Sequence, residues 1–264
     1  MYSISFIDRY DSFTVAIAVF ILMMFSFFIG IRLRKFYEKR NHPRDDQSIG
    51  PLEGSLLGLL ALLLSFTFSM SSSRHDKRLN VIIEEANNIG TAILRADLYP
   101  DSIRAAFRKD FKAYVNVRIA FFEAGANIEK VKSTLKQSNA IQKKLWDRAA
   151  YYGRDKEYFH RSSQMIPALN AMIDIVTTRN AASIAKVPEF ILYLLFMLCF
   201  ISSLMMGYTV GKKPDWIVMF GFAITIVMTI YLILDLDRPR RGIITMKNVN
   251  MEIVNLKDVF GIDE

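Results

Sequence analysis

The chain has 264 residues, of which 52% are hydrophobic, yet it carries a net charge of +8 and 23% charged residues. This mixture is typical of membrane spans joined to a soluble part, and it excludes a chain that is apolar or polar throughout. The single cysteine, Cys199, excludes an intramolecular disulfide and a cysteine-based metal cluster. Basic residues are mixed with acids or concentrate near the ends of apolar stretches, which favours anionic lipid headgroups over nucleic acid as their partner.

Four apolar stretches are long enough to cross a lipid bilayer as helices, because each holds about 20 residues without an ionisable side chain. They cover residues 12–31, 54–73, 190–211 and 216–234. A basic run follows the first stretch, which is typical of a retained span rather than a cleaved signal peptide. We therefore predict an all-α membrane protein with four transmembrane helices and a long helical insertion between the second and the third.

The spans divide the chain into four predicted parts. A short N-terminal lead and the first two spans occupy residues 1–73, and a soluble, membrane-proximal helical region follows over 74–186. The third and fourth spans form a hairpin over 187–237, joined by a tight turn at 211–214, and a C-terminal tail covers 238–264. The tail alternates apolar and polar residues, so we expect it to pack along the soluble region.

Apolar residues at helical spacing predict four helices in the soluble region. The second of them is expected to be capped by Asp101 or Ser102 and to end at Gly125. The fourth, over residues 157–185, is expected to break at Pro167, because proline lacks the backbone donor that a helix interior requires.

The second span carries an unusual pattern of large apolar side chains and hydroxyls. Leu62, Phe66, Ser69 and Ser73 recur at intervals of three and four residues, so they lie along one face of a helix. On a pore-lining face, the apolar residues would form a constriction that gates by dewetting, and the serines would form a wetter vestibule. On a packed face, the same residues would contact neighbouring helices, and the serines would bond to backbone carbonyls. Periodicity alone leaves both interpretations open.

Gly54 and Gly58 form a small-xxx-small pair near the start of the same span. Such pairs let helix backbones approach closely. Because they are common in apolar segments, the prediction is limited to close helix packing, within a subunit or between subunits.

Polar side chains crowd the helix that follows the second span. One interpretation is an ion-attracting vestibule or an intersubunit network, and the favoured one is a set of ion pairs and amide bonds that holds the soluble helices together. The residues concerned are Glu84, Glu85, Asn87, Asn88, Arg95 and Asp97.

A second charged cluster follows the fourth span. Ionisable residues at a membrane boundary are functional candidates, but acids and arginines so close together favour a structural salt-bridge cluster at the interface. Its members are Asp235, Asp237, Arg238, Arg240 and Arg241.

The sequence contains no pattern typical of an enzyme or of a metal site. His42, His75 and His160 are scattered without the ligand spacing of a metal centre. Phosphate-binding, dinucleotide-binding and nucleophile-elbow motifs are absent from the sequence. We therefore expect no enzymatic activity, no cofactor and no metal.

Two stretches carry a family resemblance. Residues 84–100, EEANNIGTAILRADLYP, and residues 234–242, LDLDRPRRG, resemble the bacterial bestrophin-like family of membrane proteins. Residues 55–74, SLLGLLALLLSFTFSMSSSR, are more distantly similar to the second helix of bestrophin ion channels, and the Val187-Pro188 entry to the third span is similar too. The order of spans, helical insertion and tail also agrees with that family.

The resemblance implies a homo-oligomeric ion channel, because bestrophins are pentamers whose second helices line a narrow apolar neck. It places the neck at Leu62 and Phe66 and a second constriction near Ile184, with small ions permeating. Gly58 stands where bestrophins carry a bulky apolar residue, and Arg240 and Arg241 replace the acids of the animal calcium clasp, so no calcium site is carried over.

The resemblance also implies a location in the bacterial cytoplasmic membrane with both termini cytosolic. Counting lysines and arginines near the span ends does not decide the orientation, because the two sides are nearly balanced. The alternative function is a non-conducting membrane scaffold or sensor that uses the same helices for assembly.

Overall fold

The computed structural model describes residues 10–40, 50–210 and 214–263, and over these ranges the chain is helical without strands. This confirms the all-α prediction. His42 and residues 211–213 of the predicted hairpin turn lie outside the described residues. The helices are α1 Ser12–Arg40, α2 Gly50–Ala96, α3 Asp101–Glu123, α4 Ile128–Tyr152, α5 Phe159–Ile184, α6 Glu189–Thr209, α7 Trp216–Leu236, α8 Lys247–Asn255 and a terminal 3₁₀ helix, Leu256–Asp263.

By length and composition, four helical segments are apolar enough to cross a membrane, and they lie in α1, α2, α6 and α7. Non-helical residues at 185–188 separate α5 from α6, so the third apolar segment begins at Glu189. At the start of α7, the Asp215 carboxylate accepts hydrogen bonds from the backbone N–H groups of Ile217 and Val218, at 3.1 and 3.3 Å. These bonds satisfy two of the donors that a helix leaves open at its beginning.

The chain forms two compact units. We call the first the membrane unit, Met1–Arg74 with Lys186–Arg238, and the second the helical unit, His75–Ala185 with Pro239–Glu264. Helix α2 contributes its first half to the membrane unit and its second half to the helical unit.

In the membrane unit, α1 packs against α6 and α7. Met23 and Phe27 of α1, Leu195 of α6 and Ile230 of α7 are fully buried in the shared core. The backbones of α1 and α6 lie in close contact at Gly30 and Gly207, where a Cβ atom on either glycine would overlap the backbone of the other helix. Without a hydrophobic force between helices in lipid, such small-residue contacts are a main source of packing energy.

The helical unit has its own apolar core, to which every helix of the unit contributes. Ile89 of α2, Phe107 of α3, Leu145 of α4 and Leu169 of α5 are all fully buried there. The C-terminal segment also takes part in this core through Met246, Ile253 and Phe260. The prediction that the tail packs along the soluble region is therefore confirmed.

The predicted cap of α3 is wrong. Helix α3 begins at Asp101, and the residue before it, Pro100, is the N-cap and provides no side-chain hydrogen bond. The carbonyl of Pro100 accepts from the backbone N–H groups of Ile103 and Arg104, so the chain enters the helix directly from the proline. At the other end, Gly125 has a φ of 51°, a conformation that glycine adopts without strain.

The predicted break at Pro167 is also wrong, because α5 continues through it. A proline inside a helix removes one backbone hydrogen bond and displaces the carbonyls of the preceding turn. In the same turn, the Gln164 carbonyl accepts a hydrogen bond from the Arg95 side chain. Packing within the helical unit, including the buried neighbours Met165, Ala168 and Leu169, holds the helix together across the proline.

Candidate pore-lining helix and charged clusters

The apolar and hydroxyl face of α2 lies open within a single chain. Leu62 is 53% exposed and Phe66 is 61% exposed, and Ser69 and Ser73 are exposed as well. The most apolar window of α2 is only 22% buried, whereas the corresponding windows of the other three apolar helices are each 39% buried. Of the four, α2 is therefore the helix that its own chain covers least.

The opposite face of α2 packs within the membrane unit. Leu60 and Leu64 are buried in its core. The buried Thr67 hydroxyl donates to the Leu63 carbonyl at 2.7 Å, and the buried Ser71 hydroxyl donates to the Ile233 carbonyl of α7 at 3.3 Å. The hydroxyls of this span therefore divide between a packed face, where backbone carbonyls satisfy them, and the open face that carries Ser69 and Ser73.

Gly54 and Gly58 are both exposed, and a Cβ atom added at either would meet no atom of the described chain within 4 Å. Among the residues that the structure describes, no helix of the same chain uses this pair for close approach. Packing of the pair between subunits remains a prediction.

Glu85 is the centre of the polar cluster beyond the span. Its carboxylate accepts from Nε of Arg118 at 2.5 Å and from a terminal nitrogen of Arg179. The side chains of Glu85 and Arg118 are completely buried. Burial alone would raise the pKa of Glu85, but the two guanidinium groups outweigh that effect and hold it below its ordinary value.

Of the remaining residues of this cluster, some form hydrogen bonds or ion pairs within the helical unit and others are exposed to solvent. Asn88 donates to the Ala171 carbonyl at 3.4 Å, and Arg95 donates to the Gln164 carbonyl. Asp97 pairs with Arg108 at 2.9 Å. By contrast, Glu84 and Asn87 are exposed, so of the two adjacent acids only Glu84 is open to solvent.

The charged cluster after the fourth span is divided between the two units. In the membrane unit, Asp237 accepts from the backbone N–H of Val187 at 2.6 Å and lies 4.0 Å from Arg74. Arg238 donates to the Tyr10 carbonyl at 2.5 Å, and Asp235 is buried.

In the helical unit, Arg240 donates to the Gly125 carbonyl at 2.9 Å, whereas Arg241 is exposed. Ile184, the last residue of α5, is 48% exposed. Among the residues that the structure describes, no group of three His, Cys, Asp or Glu side chains is arranged to hold a metal ion.

Sequence reasoning did not identify Arg118 and Arg179 as the partners of Glu85. The signal was present in α3, where Arg118 recurs with Phe107, Phe111 and Phe121 on the face that becomes buried. An arginine on an apolar face needs a buried counter-charge, and a glutamate on the buried face of a neighbouring helix supplies it.

Comparison with solved structures identifies the fold. A crystal structure of a mutant bacterial bestrophin homologue from Klebsiella pneumoniae has a TM-score of 0.68 and 13% identity, covering 94% of this chain and 99% of that one. A second mutant of the same homologue has a TM-score of 0.68 and 14% identity, with coverages of 93% and 98%. A crystal structure described as a membrane protein has a TM-score of 0.62 and 14% identity, with coverages of 92% and 98%.

The sequence comparisons give one further match. No curated protein sequence matches the chain. The sequence profile of the Bestrophin-like domain, however, matches residues 22–251. Because this match extends over most of the chain, the protein belongs to the Bestrophin-like family.

Proposed function

We propose that the protein is the subunit of a homo-oligomeric ion channel in the bacterial cytoplasmic membrane, with α2 lining an axial pore. The observation that carries the proposal is the open face of α2. Leu62, Phe66, Ser69 and Ser73 are exposed there, and of the four apolar helices α2 is the one least buried by its own chain. Such a face needs lipid, water or another subunit to cover it. Its serines argue against lipid alone, because hydroxyls in hydrocarbon lose their hydrogen bonds to water.

Arranged around an axis, the open face would make a pore with two zones. Rings of Leu62 and Phe66 would form an apolar neck, which can close to ions by dewetting, and the rings of Ser69 and Ser73 would hold water. Ile184, exposed at the end of α5, is the proposed second constriction.

The charges near the pore would act on small permeating ions. Glu85 cannot act on permeating ions, because its carboxylate is buried and paired with Arg118 and Arg179. Glu84 is exposed, so of the two adjacent acids it is the one that we propose acts on ions in a vestibule. No cofactor or enzymatic step forms part of the proposal.

The proposed assembly is a ring of identical subunits in a lipid bilayer, a pentamer by resemblance to bestrophins. Both termini would be cytosolic on the same grounds. Gly54 and Gly58, which no other described part of the chain covers, are the proposed sites of close contact between subunits.

The second candidate function is a non-conducting membrane scaffold or sensor. It is favoured by the same exposure, because another copy of the chain packed dry against Leu62 and Phe66 would cover the open face equally well. In that case the two residues would stabilise the assembly and no water would reach Ser69.

Ion flux into liposomes reconstituted with the purified protein tests the proposal. Phe66→Ala removes the bulk of the neck and should increase flux. Phe25→Ala is the matched control, because Phe25 on α1 is 59% exposed, close to the 61% of Phe66, and would face lipid in the proposed ring. It should leave flux unchanged. Absence of flux from all three proteins under several ionic conditions would reject the channel. Lower thermal stability of the Phe66→Ala protein without any flux would favour the scaffold.

A further inference from the structure

The helical unit contains a cavity of about 290 Å³ that the channel function does not use. Apolar side chains of α2, α3 and the C-terminal segment form much of its wall. Arginines from three different segments complete it. Its lining includes Arg78, Ile82, Phe121, Arg179, Arg240 and Met246.

Positive charge exceeds negative charge around this cavity. Arg78, Arg179 and Arg240 line it, and Arg118 lies behind Phe121 with its guanidinium carbon 4.5 Å from the ring centroid. The acids are Glu85, buried between Arg118 and Arg179, and Glu123, which lines the cavity but is exposed. Four arginines thus meet two carboxylates, and only one of the carboxylates is shielded from water.

The arginines are gathered around one aromatic ring. The guanidinium carbons of Arg118, Arg179 and Arg240 lie 4.5, 5.4 and 4.6 Å from the centroid of Phe121. Cations above a ring face are attracted to its electrons, but three like charges this close also repel one another. A bound anion would compensate that repulsion.

Two further observations favour an anion close to these arginines. The two terminal nitrogens of Arg118, which does not itself line the cavity, are buried and have no hydrogen-bond acceptor among the described residues, so the positive charge beside the cavity is incompletely compensated. Burial lowers the pKa of Arg240, and the positive charges of Arg179 and Arg118 lower it further. Buried guanidinium groups ordinarily bond to carboxylate or phosphate oxygens, with which their planar donors match in geometry.

We propose that this cavity binds a small organic anion, with an oxyanion head of the phosphate or carboxylate type held by Arg179 and Arg240. Its apolar body would lie against Ile82, Phe121 and Met246. Soluble organic phosphates and phospholipid headgroups share this chemistry, and the binding experiment separates them.

Titration calorimetry on the detergent-purified full chain at low ionic strength tests the site. The probes are phenyl phosphate for a soluble ligand, dihexanoyl phosphatidic acid for a lipid, and benzyl alcohol as the neutral control. We expect phenyl phosphate or the phosphatidic acid to bind and benzyl alcohol not to bind. The phosphate probe that binds more tightly identifies the source. Absence of binding by both phosphates would overturn the proposal.

Three variants locate the binding site. Arg240→Gln removes a charged donor and should weaken binding about tenfold or more, because hydrogen bonds to charged groups are worth about 1.5–3 kcal/mol. Arg104→Gln removes a partly exposed arginine of the same unit that does not line the cavity and pairs with Asp101 three residues earlier, and it should leave the affinity unchanged. Ala182→Phe fills part of the cavity while keeping every arginine and should also weaken binding.

Equal affinity of the wild-type and Arg240→Gln proteins would overturn the proposal. Gel filtration and thermal unfolding establish whether each variant is folded. If Arg240→Gln does not fold, the affinities of Ala182→Phe and Arg240→Lys for the phosphate probe test the site in its place. Wild-type affinity in Ala182→Phe would then mean that the ligand binds outside this cavity and would overturn the proposal.

Discussion

Gly207 of α6 lies directly against the backbone of Phe27 of α1. A Cβ atom added at Gly207 would overlap the Phe27 carbonyl oxygen and would stand 2.9 Å from the Phe27 Cα, well inside the normal contact distance. Gly30 makes the reciprocal approach, since its Cβ would overlap the Leu204 carbonyl and lie 2.8 Å from the Tyr208 nitrogen. The two glycines therefore set the spacing between α1 and α6.

Replacing Gly207 with alanine should destabilise the membrane unit. The added methyl group can be accommodated only if the two backbones separate, and overpacking of this kind costs about 1–3 kcal/mol. Gly221→Ala on α7 is the control, because a Cβ there meets nothing within 4 Å and alanine is the better helix former. Thermal unfolding of the purified proteins measures the effect. A melting temperature for Gly207→Ala equal to that of Gly221→Ala would contradict the prediction.

Replacing Glu85 with glutamine should strongly destabilise the helical unit. The change leaves Arg118 and Arg179 buried without their counter-charge, and breaking a buried ion pair in this way costs about 3–5 kcal/mol. Glu84→Gln is the matched control on the neighbouring, exposed position, where a change within about 0.5 kcal/mol is expected. Both are measured as unfolding midpoints at pH 7. Equal unfolding midpoints for the two variants would mean that the buried ion pairs of Glu85 contribute little to stability.

The same carboxylate predicts a specific dependence of stability on pH. Its folded-state pKa is below the ordinary value of 4.5, so its contribution is fully present above pH 4.5 and is lost as the pH falls through the folded pKa. The stability difference between the wild-type and Glu85→Gln proteins should therefore be constant from pH 7 to about 5 and shrink at lower pH. Unfolding followed at several pH values measures it. A stability difference between the two proteins that persists undiminished to pH 3 would contradict a lowered pKa of Glu85 in the folded state.

The sequence predicted which residues of α2 share a face, because a helix repeats every 3.6 residues whatever surrounds it. It also predicted the apolar helices, from stretches of about 20 residues without an ionisable side chain, and the packing of the tail, from its alternation of apolar and polar residues. It did not predict which glycines bring helices together. Gly54 and Gly58 have the favoured spacing on one helix, whereas Gly30 and Gly207 are far apart in the chain and become paired only when α1 and α6 pack.

The errors at Asp101 and Pro167 have the same origin. Local rules assign a side-chain cap and a helix break, but the carbonyl of Pro100 and the packing around α5 satisfy the chain by other means. Likewise, the partners of Glu85 lie on α3 and α5, at a separation along the chain that no local pattern reveals.

Cysteine accessibility separates a wet pore from a packed helix interface. In a Cys199→Ala background, Ser69→Cys should react with a charged thiol reagent, because the thiolate forms only where water reaches it. Met228→Cys on α7 is the control, since Met228 is 54% exposed in the chain and would face lipid in the proposed ring. Labelling is measured by mass shift in intact membranes. Failure to label Ser69→Cys, or equal labelling of both positions, would contradict a water-filled pore.

The position of α2 in the assembled protein tests the central claim most directly. Electron cryomicroscopy of the purified protein would give both the number of subunits and the distance of Phe66 from the symmetry axis. We predict a ring of several subunits in which the Leu62 and Phe66 side chains face the axis. A monomer or dimer, or a ring in which this face of α2 points to lipid, would contradict the account.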